Sequence, residues 1–106
     1  MEPHNEKVYT HAMWKVKQGM QSEFIKAWEQ LAEIFSSLPE KPIEKGVLIQ
    51  SLQNSELFYS FGPWQKIEHI ELMRQNEKVK QAMAQLKELC IEMTPGNYRV
   101  IKEIIL

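Results

Sequence analysis

The stretch from Val8 to Lys17 constrains the chain more than any other, because it is apolar on both sides of a strand. Val8, Thr10, Ala12, Trp14 and Val16 alternate with Tyr9, His11, Met13, Lys15 and Lys17, and in extended backbone successive side chains point to opposite faces. The first set reads as a core face that includes two small residues. The second, headed by Tyr9, His11 and Met13, is too apolar to meet water unaided, so both surfaces of the sheet this strand joins need a cover.

The rest of the chain supplies one cover. After the turn Lys17-Gln18-Gly19, Phe24, Trp28, Leu31, Phe35 and Leu38 recur at steps of three and four, which predicts an amphipathic helix from about Gln21. It is expected to stop at Ser36-Ser37-Leu38-Pro39, since proline disfavours helical geometry in the residue before it; Pro39 to Pro42 then reads as a loop. Val47–Leu52 and Leu57–Phe61 flank Gln53-Asn54-Ser55-Glu56 and predict an antiparallel hairpin, with Gly62-Pro63 breaking its second strand. Ile67 and Ile70 begin a helical run with inward apolar residues. Asn76 is placed to cap a further helix whose stripe is Val79, Ala82, Met83, Leu86, Cys90 and Met93, the two helices being either separate or one bent helix. Thr94-Pro95-Gly96-Asn97 reads as the turn that ends it, and Tyr98–Leu106 as the last strand.

Strand, helix, strand, strand, helix, strand is the order of an α+β, ferredoxin-like split βαβ sandwich, an antiparallel sheet with its helices on one face. A twofold-related copy covers the other face without a second protein, so the expected assembly is a homodimer with Tyr9, His11 and Met13 at its interface. The 106 residues suit a single domain over 1–106, with residues 1–6, His4 among them, read as a flexible polar tail.

Charge and cysteine content narrow the partners. Thirteen basic and fourteen acidic side chains leave a net charge of -1, which offers no broad positive field for nucleic acid or an anionic membrane. The lone cysteine, Cys90, rules out an intrachain disulfide and reads as a small buried hydrophobe. The polar start of the chain shows no apolar leader of signal or membrane-spanning length, so a cytoplasmic location is expected. Histidines at 4, 11 and 69 form no ligand pair at helical spacing, and neither a phosphate-cradling glycine loop nor a Gly-x-Ser-x-Gly nucleophile motif occurs. No metal or cofactor is therefore expected.

Three landmarks carry a resemblance: Trp14-Lys15-Val16-Lys17-Gln18-Gly19 leading into Phe24-Ile25-Lys26-Ala27-Trp28, then Phe58-Tyr59-Ser60-Phe61-Gly62-Pro63-Trp64, then Thr94-Pro95-Gly96-Asn97-Tyr98. Over roughly Tyr9 to Ile104 the chain resembles the antibiotic biosynthesis monooxygenase (ABM) domain family of dimeric α/β barrels. That resemblance implies an oxidoreductase, a cofactor-independent monooxygenase acting on a small planar phenol-like or quinol-like substrate held between sheet and helices. Similar domains include haem-degrading enzymes that use an Asn on the first strand, a Trp on the second helix and a His beyond it. Counted from Gly19 and Trp64, those places fall at about Ala12, Met73 and Met83, so the resemblance does not extend to haem degradation. A non-catalytic, dimeric ligand-binding or stress-related module on the same scaffold is the alternative.

The site expected from these readings has His69 and Tyr59 as its proton-handling residues and Trp64, Trp14, Thr10 and Met83 as substrate contacts. His69 is the side chain best suited to titrate near neutrality, although helical spacing favours a surface position. Trp64 can stack on a flat ring and donate a hydrogen bond, or simply anchor the chain beside Pro63. Tyr59 shares its strand face with Leu57 and Phe61, which leaves packing or dimer contact open to it.

Overall fold

A computed structural model describes residues 7–39 and 43–106; the expected tail, with His4, and residues 40–42 of the expected loop lie outside them. The elements are β1 (Val8–Val16), α1 (Gln21–Ser36), β2 (Val47–Gln50), β3 (Leu57–Trp64), α2 (Ile67–Gln75), α3 (Glu77–Glu88) and β4 (Cys90–Arg99). The four strands form one sheet in the order β2-β3-β1-β4, every neighbouring pair antiparallel. This is the ferredoxin-like arrangement predicted from the order of elements.

Local chemistry fixes the element ends. Gly19 takes φ +81, a left-handed geometry that costs glycine little, and turns the chain from β1 into α1. Between β2 and β3, the Ser51 hydroxyl accepts from the amides of Gln53 and Asn54 at 3.1 Å each, and the Asn54 side chain accepts from the Glu56 amide at 3.0 Å. The two C-terminal helices are separate. Asn76 is extended at φ -73, ψ 127 and its side chain accepts from the Val79 amide at 3.1 Å, so one residue closes α2 and caps α3.

β1 carries the centre of the core. Trp14 and Val16 are buried with Phe24, Ala27 and Leu31 of α1, Phe58 of β3, Val79 and Leu86 of α3, and Cys90. The Phe24 ring lies 5.3 Å from that of Trp14 and 5.0 Å from that of Phe58, a three-ring contact that holds α1 to the sheet.

Several expectations need correction. The last strand is Cys90–Arg99 rather than Tyr98–Leu106, and α3 ends at Glu88. Cys90 and Met93 continue the helical spacing by coincidence; they are strand residues, Met93 opposite Trp14 and Pro95 opposite Ala12. Proline is tolerated there because β4 is an edge strand, with one side of its backbone not needed for pairing. Gly62-Pro63 does not break β3, which runs to Trp64. Pro63 falls past Phe61, the last β3 residue laddered to β2, and Gly62 lies so close to the preceding segment that a Cβ would collide with the Lys45 carbonyl oxygen and come 2.9 Å from Ile43 Cδ1. Finally, Ile70 is buried but Ile67 is 55% exposed, and His69 is half-buried rather than on the surface.

The opposite face of the sheet is aromatic. His11 packs against Tyr59, Phe61 and Tyr98 at ring-centre distances of 5.4, 6.5 and 5.7 Å, and Met13 sits opposite Tyr59. Beyond β4, Ile101, Ile104, Ile105 and Leu106 are 67% to 113% exposed.

Candidate functional site

The inner face of the sheet is uneven, and that unevenness makes a cavity. Opposed residues across β3, β1 and β4 form rows: Phe58, Trp14 and Met93, then Ser60, Ala12 and Pro95, then Gly62, Thr10 and Asn97. The first row is bulky and fills the space under α1. The next two are small, so the helices above them cannot close down on the sheet. A cavity of about 340 Å³ results, near the lower end of the roughly 300–1,000 Å³ usual for small-molecule sites. Its roof comes from Trp28, Leu31 and Phe35 of α1, Ile70 of α2, and Val79 and Met83 of α3, and residues 43–46 border it.

Two indoles stand at the site with their N–H groups already engaged. Trp64 Nε1 donates to Thr10 Oγ1 at 2.8 Å, and Trp14 Nε1 donates to Ser60 Oγ at 2.9 Å. These bonds satisfy buried donors and fix both rings. Of the two readings open to Trp64, they favour the anchor over donation to a substrate, since its single donor is engaged by Thr10. Each hydroxyl keeps its own hydrogen to offer. Trp64 is further held by an edge-on contact with Phe35 at 5.7 Å.

Of the expected site residues, the cavity brings together Trp64, Trp14, Thr10 and Met83. It does not include Tyr59 or His69. Tyr59 belongs to the outer face, where its ring meets His11, because one residue of strand separates it from the inward Phe58 and Ser60. His69 precedes the inward Ile70 on α2 and does not reach the wall. The proton-handling roles given to both are therefore not carried forward. His11, Tyr9 and Met13 lie together on the outer face, the position expected of interface residues.

Several wall residues escaped the sequence reading. Trp28 was visible as part of the α1 stripe, and Ser60 follows from strand parity. Asn97 was hidden by the turn assigned to Thr94–Asn97, and nothing in the pattern of α2 marked Arg74. At the wall, the ionisable side chains from helices and loops are Glu44, Lys45 and Arg74, all exposed. Arg74 Nη1 donates to Glu71 Oε1 at 3.1 Å and Nη2 to Asn97 Oδ1 at 3.4 Å.

Cys90 is buried in the core. Burial pushes its thiol above its ordinary value, with the charge of Lys17 opposing, so it stays protonated and acts as a packing residue. Among the described residues no group of three or more His, Cys, Asp or Glu side chains is placed to hold a metal ion, and no helix is long and apolar enough to cross a membrane.

A ferredoxin-like domain with a ligand-sized apolar cavity between sheet and helices defines the class. Solved structures of the same fold include several named as antibiotic biosynthesis monooxygenases. SnoaB, a cofactor-independent oxygenase from Streptomyces nogalater solved in a mutant form, superposes with a TM-score of 0.83 at 14% identity, covering 95% of this chain and 98% of its own. A conserved protein from Methanosarcina mazei gives 0.79 at 19% identity over 90% and 93%, and a candidate antibiotic biosynthesis monooxygenase from Deinococcus radiodurans gives 0.78 at 14% over 93% and 97%. At these identities the likeness is one of fold, and the fold is that of the antibiotic biosynthesis monooxygenase structures. No family model and no curated protein matches the chain.

Proposed function

We propose that the chain is an oxygenase of the antibiotic biosynthesis monooxygenase kind, working as a homodimer on a planar aromatic substrate without metal or flavin. The observation that carries this reading is the apolar cavity roofed by Trp28 and Phe35 and flanked by Trp64, a flat-walled space suited to a ring. Aromatic walls exclude water and supply stacking area. The remaining hydroxyl hydrogens of Thr10 and Ser60 are donors that stabilise a phenolate or enolate oxygen as it forms.

The chemistry asks little of the protein. An electron-rich ring carbon, once its oxygen is deprotonated, reacts with dioxygen; for an anthrone the ring CH₂ becomes a carbonyl and the second oxygen atom leaves as water. Among the described lining residues the one imidazole, His11, packs its ring against Tyr59, Phe61 and Tyr98 on the outer face, so suitable substrates are those whose acidity lets them ionise readily. The same observation favours the second reading, a ligand-binding module without turnover.

Oxygen uptake with anthrone and a series of quinols separates the two. The oxygenase reading expects uptake matched one to one by the oxidised product and reduced by Trp64→Ala. Binding of a panel member with no uptake from any of them would leave the ligand-binding module standing.

A further inference from the structure

The donors at one end of the cavity are arranged for an anion. We infer that the ligand is an aromatic molecule bearing a carboxylate, with Arg74 and Asn97 receiving the carboxylate at the cavity wall while the ring occupies the apolar interior. This rests on the reading of the cavity as an aromatic site.

Arg74 of α2 and Asn97 of β4 are 23 residues apart in sequence and meet through the Nη2 to Oδ1 bond of 3.4 Å. Both line the cavity. A guanidinium has five N–H groups and no acceptor, and the Asn97 amide oxygen, which has two lone pairs, directs one of them to Arg74. What this end offers is therefore mostly donors: the remaining guanidinium hydrogens and the Asn97 amide hydrogens. A donor-rich end with a fixed positive charge over an apolar interior matches a planar anion better than a group that must itself donate.

Glu71, the carboxylate now paired with Arg74, is its neighbour three residues earlier on the same helix and does not line the cavity. The two side chains are 56% and 64% exposed, and pairs of this kind hold weakly and are screened by salt. A ligand carboxylate can displace it or share the fork with it. Among the described residues the other charges at the wall, Glu44 and Lys45, are adjacent in the chain and of opposite sign, so Arg74 supplies their net positive charge.

All three tryptophans of the chain, Trp14, Trp28 and Trp64, line the cavity, so tryptophan emission reports its occupancy. The test titrates the protein near neutral pH with 2-naphthoate, the neutral isostere 2-naphthamide and the cation 2-naphthylmethylammonium, with calorimetry as a second readout. The expected result is naphthoate binding at least about tenfold more tightly than naphthamide, the cation weakest, with the preference shrinking as salt rises. Arg74→Gln should bring naphthoate down to naphthamide while leaving naphthamide unchanged, and Arg74→Lys should retain part of the preference. Equal binding of acid and amide, or a preference that survives in Arg74→Gln, would overturn the inference and leave the aromatic cavity intact. Failure of all three to bind would remove the cavity reading and this inference together.

Discussion

Thr10 and Ser60 decide what the two indoles beside the cavity can do. Each hydroxyl takes an indole N–H, and in doing so turns a tryptophan into a fixed wall. Ser60→Ala leaves the Trp14 donor buried without an acceptor, and such a loss costs about 1–3 kcal/mol; urea unfolding should show it as a lower midpoint with an unchanged slope. At this scale the sequence was legible where strand parity applied. Thr10 and Trp14 follow from alternation on β1 and Ser60 from alternation on β3. Tyr59 falls on the other side by the same parity, with Leu57 and Phe61, which is why packing or dimer contact stays open to it beside a cavity role. Arg74 and Asn97 were illegible because their meaning arises from a side-chain bond that reaches from α2 to β4, a tertiary meeting that no local pattern encodes.

Among the elements, Asn76 carries a disproportionate duty, closing α2 with its backbone and opening α3 with its side chain. Replacing it with alanine should cost about 1 kcal/mol, and hydrogen exchange should quicken first at the Val79 amide, whose partner is removed. Capping chemistry of this sort can be read directly, as it was for Asn76. The end of α3 could not be, since Cys90 and Met93 fall three residues apart and mimic another helical turn. What wins there is the pairing of Cys90–Arg99 with β1, a tertiary term that overrides both the spacing and the turn preference of Pro95-Gly96. Helix α1 was read nearly to its last residue because its stripe and its terminating proline agree.

For the molecule as a whole, the unresolved demand is the outer face. Tyr9, His11, Met13, Tyr59 and Phe61 are only half-buried and Tyr98 is 57% exposed, and Ile101, Ile104, Ile105 and Leu106 beyond β4 are exposed as well. At roughly 25 cal/mol per Å² of apolar burial, covering this face by a second copy would work against the cost of association. Sedimentation should therefore give twice the 12.5 kDa of the chain, and Met13→Lys should yield a folded monomer with unaltered far-ultraviolet circular dichroism. The need for a cover was legible in β1 alone, because greasiness on both sides of a strand is a local pattern with a global consequence. A different local choice shapes the interior. With nothing beyond a hydrogen at position 62, the backbone of residues 43–46 leans onto β3 and joins the cavity wall, so a methyl group added there would push that segment outward and remodel the rim.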